Sequence, residues 1–103
     1  MTLQELLTEA GEGLPGLSVS VDSSGGLVWD RTGRPFATAT ANGASAEFRL
    51  DAAVAASALR TPDTSASRRG PDWVRFSPDS LDEHASDRAE AWFGSAWRRA
   101  EHA

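Results

Sequence analysis

The sequence predicts an α+β domain, with an antiparallel sheet of about five strands and three helices mainly on one of its faces. Short alternating stretches of apolar and polar residues follow one another with only tight turns between them, as strands of an antiparallel sheet do. Three other stretches repeat apolar residues at helical spacing. The expected order is α-β-β-β-β-α-β-α, in a single domain that covers residues 1–103.

The first helix is expected over residues 2–10. Thr2 and Glu5 have the spacing of a capping box, in which each side chain accepts a hydrogen bond from the other residue's backbone N–H. One side of this helix is apolar, formed by Leu3, Leu6, Leu7 and Ala10. The prediction is a short amphipathic helix that ends at Gly11 or Gly13.

Two strands should follow. In residues 17–21, Leu17, Val19 and Val21 alternate with polar residues, which is typical of a half-buried strand. A Ser/Gly turn at 23–26 separates this strand from a second one at 27–29, which carries Trp29. A core position is the favoured interpretation for Trp29 and also for Trp73, because Trp is highly buried on average.

Asn42-Gly43 predicts a hairpin with a type I′ turn, whose two central residues both need positive φ. This turn sets a register that pairs Ala41 with Ala44, Ala39 with Ala46, Ala37 with Phe48 and Pro35 with Leu50. One face is then apolar. The other face is mixed and carries Phe36, Thr38, Thr40, Ser45, Glu47 and Arg49.

Asp51 is expected to cap a second helix that runs to Arg60, with Val54, Ala55, Ala58 and Leu59 facing inward. Residues 61–71 are predicted to form a polar loop with Arg68 and Arg69 exposed. In the strand that follows, Val74 and Phe76 should face one side of the sheet, and Trp73 and Arg75 the other.

The longest helix is expected to start at Ser80, with Glu83 completing a second capping box. Its apolar stripe consists of Leu81, Ala85, Ala89, Trp92, Phe93, Ala96 and Ala100. Asp82 and Glu83 complement the dipole at its first turn, and Arg98 and Arg99 do so at its last.

The net charge of −5 argues against general affinity for nucleic acid or anionic membranes. The charge is uneven, however: residues 31–75 carry seven Arg against four acidic residues, between two acidic segments. No apolar run approaches the ~20 residues of a membrane span, and the N-terminus lacks a signal-peptide pattern. A cytoplasmic location is expected, and the Ala-, Arg- and Asp-rich composition without Lys is typical of a GC-rich bacterial genome.

Motifs for catalysis or cofactor binding are weak. Residues 11–16 match GxGxxG, but a helix precedes and a strand follows the match, the reverse of a dinucleotide site. The chain has no Cys, and its two imidazoles, His84 on the outer helix face and His102 in the tail, lack metal-ligand spacing. We therefore expect no cofactor and no metal, and we find no constellation for an enzyme.

Several short motifs carry a resemblance. They are Leu14-Pro15-Gly16 after a short helix, Gly33-Arg34-Pro35-Phe36-Ala37, Phe48-Arg49-Leu50-Asp51 and Trp73-Val74 before a final long helix. In this order the chain resembles the MmcQ/YjbR-like proteins and, nearly as well, the small luciferase-domain-like family. The first resemblance implies an open antiparallel sheet and a DNA-binding-like function. The YjbR-like group often has a His-Asn-Lys type segment before the late Trp, where this chain has residues 68–72, Arg-Arg-Gly-Pro-Asp.

The mixed sheet face is the best candidate for a binding site, because arginines beside flat aromatic rings bind carboxylates, phosphates, stacked bases or acidic peptides. Phe36 and Arg49 should be cross-strand partners there, joined by Trp73 and Arg75. The candidate residues are Phe36, Arg49, Trp73 and Arg75, with Arg34, Arg68 and Arg69 at the rim. The competing interpretation is that arginine stems only cover the sheet, or that a homodimer buries this face.

The sequence thus predicts a non-catalytic binding or interaction module that takes a protein or an anionic ligand on its arginine-rich face or on the loop at residues 61–71. A DNA-binding protein is the first alternative, which the net charge disfavours, and an enzyme of unknown class is the second.

Overall fold

The computed structural model describes residues 1–101, so His102 lies outside the described residues. The elements and their bounds are α1 (Leu3–Gly11), β1 (Leu17–Val21), β2 (Leu27–Arg31), β3 (Arg34–Ala39), β4 (Ala46–Arg49), α2 (Ala52–Ala58), β5 (Thr64–Ala66), β6 (Trp73–Phe76) and α3 (Glu83–Ala100). The predicted α+β class and the helix order are confirmed. No helix within residues 1–101 is both long enough and apolar enough to cross a membrane.

The strands form one antiparallel sheet in the order β1-β2-β3-β4-β6-β5. It has six strands instead of about five, because part of the predicted loop 61–71 forms β5 and pairs with β6. The sequence Thr64-Ser65-Ala66 has no apolar alternation. Its extended conformation comes from hydrogen bonding to the free side of β6, which sequence patterns do not report.

The register defines two faces of this sheet. Directly opposed residues share a face, so Trp29, Ala37, Phe48 and Val74 form one row across β2, β3, β4 and β6, and all four are buried. We call this side the helix face. The adjacent row consists of Ser20, Val28, Thr38, Glu47, Arg75 and Ser65 and lies on the opposite side. We call that side the open face.

The apolar stripe of α3 packs on the helix face, as predicted: Ala85, Ala89, Trp92, Phe93, Ala96 and Ala100 are buried. Phe93 contacts Trp29 edge-on at a centroid distance of 5.5 Å, and Trp92 contacts Phe76 at 5.2 Å. Such pairs contribute about 0.5–1.5 kcal/mol beyond the area they bury. The small residues on the sheet, such as Ala37 and Ala39, allow this helix to approach closely.

The start of α3 differs from the prediction. Asp82 is the N-cap residue, and its carboxylate accepts a hydrogen bond from the N–H of Ala85 at 2.8 Å. The predicted capping box of Ser80 and Glu83 is wrong. A carboxylate is a stronger acceptor than a hydroxyl at the positive end of a helix, and so Asp82 starts the helix two residues later. The capping box of Thr2 and Glu5 at α1 is confirmed.

The hairpin between β3 and β4 has the predicted register, with Ala37 opposite Phe48 and Ala39 opposite Ala46. Its turn is wider than expected. Gly43 has positive φ and Asn42 does not, and the backbone of Thr40 pairs with that of Ser45 outside a four-residue loop. The loop gains one residue from each strand, and this leaves the register of the two strands unchanged. The predicted pairing is therefore confirmed although the predicted turn type is wrong.

Phe36 is not on the open face, so its predicted position beside Arg49 is wrong. Trp29 pairs with Ala37 while Asp30 pairs with Pro35, which makes Phe36 the extra residue of a β-bulge. Pro35 cannot donate a ladder hydrogen bond, and proline within sheets occurs at such irregularities. The bulge turns Phe36 onto the helix face, where it is buried against Phe93 at 5.2 Å.

The second helix is shorter than predicted and ends at Ala58. Ala55 and Ala58 are buried as expected, but Leu59 is 44% exposed. Asp51 holds the N-cap position without a side-chain capping bond, because its carboxylate lies 3.3 Å from Arg99 Nε instead.

Strand β1 forms where it was predicted, but the predicted half-burial is wrong, because only Leu17 is partly buried. Val19 and Val21 lie on the helix face and are 55% and 69% exposed, because the helices do not extend over this edge of the sheet.

Candidate functional site

Within residues 1–101 the three helices pack in the core on the helix face. The centre of the open face holds a cluster of hydrogen-bonded polar side chains instead. Oε1 of Glu47 lies 2.9 Å from Arg69 Nε and 3.2 Å from the Thr38 hydroxyl, and Ser67 donates to Oε2. We call Thr38, Glu47, Ser67 and Arg69 the Glu47 cluster. It packs over the sheet closely enough to leave Thr38 only 4% exposed.

The electrostatics of the Glu47 cluster favour an ionised carboxylate. Burial raises the pKa of Glu47, but the hydrogen bonds from Ser67 and Arg69 and the positive charge of Arg69 lower it further than burial raises it. The pKa is therefore below its ordinary value. The cluster fixes the chain after β5 onto the open face, since Ser67 and Arg69 both belong to that segment.

Arg69 also reaches Trp73, whose ring lies 5.4 Å from the guanidinium carbon. Trp73 is half-buried and lies on the open face, directly opposite Arg49 in the β4–β6 register. The prediction that Arg49, Trp73 and Arg75 share one face of the sheet is thus confirmed. The sequence did not indicate the contact between Arg69 and Trp73.

Arg49 is engaged at the end of the sheet. Its Nε donates to Oδ2 of Asp72 at 2.8 Å, and Arg99 Nη2 donates to the same oxygen at 3.1 Å. The hydrogen bond from Arg49 lowers the pKa of Asp72 most, and the positive charges of Arg49 and Arg99 lower it further. The pKa therefore stays below its ordinary value although desolvation raises it. This ion network ties the open face to the end of α3, so we assign Arg49 a structural role.

Arg34 lies away from the open face. Its Nη1 donates to the carbonyl oxygens of Ala100 and Glu101, at 3.1 Å and 3.2 Å. These carbonyls belong to the end of α3, where the helix leaves acceptors without an intrahelical partner. Arg34 therefore caps a helix and does not line the candidate site.

Two arginines of the open face have no carboxylate partner within residues 1–101. Arg75 is exposed, and within residues 1–101 its guanidinium donates hydrogen bonds only to the hydroxyls of Ser77 and Ser45, at 3.4 Å and 3.3 Å. Arg68 is exposed and forms no hydrogen bond or ion pair within the described chain. Both line a shallow, open depression of about 460 Å³, together with Glu47, Ala66 and Arg69.

Sequence reasoning missed the acidic members of this region. Glu47 and Asp72 neutralise two of the predicted binding arginines, Arg69 and Arg49. The alternation of β4 did place Glu47 on this face, which was the available signal. The partnership with Arg69 required knowing where the loop after β5 folds.

A metal centre is not supported by the arrangement of residues 1–101, in which no three His, Asp or Glu side chains are grouped to hold an ion. Comparison with known proteins adds no family: the chain matches no family model, no curated protein and no solved structure. The resemblance to YjbR-like or luciferase-domain-like proteins stays a prediction, and the site has to be interpreted from its own geometry.

Proposed function

We propose that the protein is a binding module of the bacterial cytoplasm whose open face recognises an acidic segment of a partner protein. The observation that carries this proposal is that Arg68 and Arg75 line one depression without a carboxylate partner in the described chain. Their neighbours Arg49 and Arg69 are already paired. The first two arginines are therefore the ones available to an external anion.

The charge of the depression supports an anionic partner. Three guanidinium groups and one carboxylate line it, in a chain whose net charge is −5. Uncompensated positive charge in an acidic protein attracts anions locally while the rest of the surface repels them. Recognition of this kind selects a short acidic segment and disfavours a long polyanion.

Arg75 is also held in place for binding. The hydroxyls of Ser45 and Ser77 accept from two of its nitrogens, and a guanidinium has five N–H donors in a fixed plane. Donors remain for a carboxylate, and less side-chain freedom is lost on binding because the group is already positioned.

The shape of the site favours a protein segment over a small metabolite. Small-molecule sites are concave and bury about 70–90% of their ligand. The depression between Glu47, Arg68 and Arg75 is shallow and open. A surface of this form suits the side chains of an extended peptide, with Trp73 beside it as an aromatic contact.

The test is fluorescence anisotropy with a labelled ten-residue glutamate peptide at low and physiological salt. We expect the double variant Arg68→Glu/Arg75→Glu to lose binding by at least about tenfold, the equivalent of 1.4 kcal/mol. The matched control is Arg60→Glu/Arg98→Glu, which makes the same change in net charge at two exposed arginines away from the depression. Equal loss in both variants, or no binding by the wild type at low salt, would overturn the proposal.

Nucleic acid is the alternative that the basic middle of the chain and the YjbR-like resemblance suggest. Labelled single-stranded DNA of ten nucleotides, run beside the glutamate peptide, separates the two. Stronger binding of DNA than of peptide, with a steep salt dependence, would favour the alternative because phosphate contacts release counterions.

A further inference from the structure

Strand β1 (Leu17–Val21) is an edge strand without the features that prevent edge strands from pairing with other chains. Natural sheets protect their edges with very short strands, lysine, proline, bulges or inward-pointing charges. The sequence Leu-Ser-Val-Ser-Val contains none of these, and its pairing with β2 is regular throughout. The opposite edge, β5, is protected by its length of three residues.

The free hydrogen-bonding groups of β1 belong to its apolar residues. Gly16 O accepts from Thr32 N, and Asp22 N donates to Gly26 O, so the even-numbered residues exchange hydrogen bonds with β2. Antiparallel ladders alternate at every residue. The backbone N–H and C=O groups of Leu17, Val19 and Val21 therefore point outward, away from the sheet.

The side chains of the same residues are also available. Val19 and Val21 are 55% and 69% exposed, on the helix face beyond the reach of the helices. Exposed apolar side chains and unpaired backbone groups thus occur together on one strand, which carries no charge. A suitable partner for this strand is another uncharged strand in which apolar and polar residues alternate in the same way.

We infer that β1 pairs with β1 of a second copy of this chain about a two-fold axis at Val19, making one continuous sheet through both copies. The strand is self-complementary in this register: Val19 lies opposite Val19 of the second copy, Leu17 opposite Val21, and Ser18 opposite Ser20. Each outward-facing residue meets another outward-facing residue. Each of those pairs exchanges two hydrogen bonds, which gives about six across the interface.

The same register covers the exposed valines. The last residue of α1, Gly11, packs on Leu17, since a Cβ added there would lie 2.7 Å from a methyl carbon of Leu17. In the dimer, Leu17 of one copy lies beside Val21 of the other, so the end of α1 approaches that valine. An interface of two five-residue strands is small, and we expect a weak, concentration-dependent dimer.

The test is sedimentation equilibrium from about 1 μM to 1 mM, the range in which weak interfaces dissociate. We expect the wild-type mass to rise from 10.9 kDa for one chain toward twice that value. Val19→Lys places two like charges opposite each other on the axis and should weaken the dimer at least tenfold. Because Val19 is exposed, the variant should remain folded by circular dichroism.

Ser65→Lys is the matched control, because it makes the same charge change on the other edge strand. Its dimer should be as strong as that of the wild type. A wild type that is monomeric up to the highest concentration would overturn the inference and leave β1 for a strand of a different protein. A dimer that Val19→Lys does not weaken, or that Ser65→Lys weakens equally, would overturn it as well. Neither result bears on peptide binding at the depression, because none of its lining residues belongs to β1.

Discussion

The helix face and the open face of the same sheet use their aromatic and charged residues in different ways. On the helix face, aromatic rings contact one another edge-on, as Phe93 does with Trp29 and Phe36. On the open face, the ring of Trp73 lies under a guanidinium, and Glu47 is held by hydrogen bonds. The helix face is closed by apolar packing, whereas the open face is partly covered by a polar cluster that leaves two arginines unneutralised. Stability should therefore depend mainly on the first face and binding on the second.

The variant expected to change stability most is Phe93→Ala, which tests the contribution of the helix face. Phe93 is 1% exposed and joins Trp29 and Phe36, so its truncation leaves a cavity in the helix face. The expected loss is about 3–5 kcal/mol in the free energy of unfolding, measured by urea denaturation. Since small domains have only about 5–15 kcal/mol in total, Phe93→Leu provides a milder variant that still reports the contact.

Trp73→Ala is the control for that experiment, because it removes a larger ring from the open face. Trp73 is half-buried and contacts Arg69. We expect it to cost less than half as much as Phe93→Ala. Equal losses would show that the open face contributes to the core as much as the helix face does.

The next test concerns the Glu47 cluster. Glu47→Ala removes the acceptor for Thr38, Ser67 and Arg69, which leaves polar groups without their partners. An unsatisfied buried group costs about 1–3 kcal/mol, and we expect a loss in that range by urea denaturation. Glu90→Ala, on the exposed side of α3, should change stability by less than about 0.5 kcal/mol.

The pH dependence of stability should follow from the same cluster. The pKa of Glu47 is lower in the folded chain than its ordinary value of 4.5, so the unfolded chain binds its proton more readily. Its contribution is present above pH 4.5 and is lost as the pH falls below that value, through the folded pKa. Asp72 acts in the same direction from its ordinary value of 3.8.

We expect denaturation curves to shift to lower urea concentration as the pH falls from about 5 to about 3. Glu47→Gln should flatten this dependence, and Glu90→Gln should not. A variant with the wild-type slope would show that Glu47 does not couple folding to protonation.

The smallest expected effect on stability belongs to the residues assigned to binding. Arg68→Ala removes a side chain that has no partner in the described chain, so the free energy of unfolding should change by less than about 0.5 kcal/mol. A loss above 1 kcal/mol would reveal a structural role for Arg68 and weaken its assignment to the site.

Features that depend on residues close together in the chain could be predicted from the sequence alone. The register of Ala37 with Phe48 follows from a turn between adjacent strands, and the buried stripe of α3 follows from helical spacing. The alternation that places Trp73 and Arg75 away from the core is likewise local. Each of these patterns repeats over a few residues, so it can be recognised in the amino-acid sequence.

The composition of the candidate site depends on contacts between residues far apart in the chain, so sequence patterns could not predict it. The bulge that moves Phe36 into the core depends on pairing with β2 and on packing against Phe93, 57 residues later. The hydrogen bond from Arg69 to Glu47 joins residues that are 22 positions apart in the chain. The hydrogen bond from Arg34 to the carbonyl of Ala100 joins residues that are 66 positions apart. Sequence patterns do not distinguish these arginines from one another. An arginine is available for binding only when the fold brings no carboxylate or carbonyl to it, and that depends on residues far away in the chain.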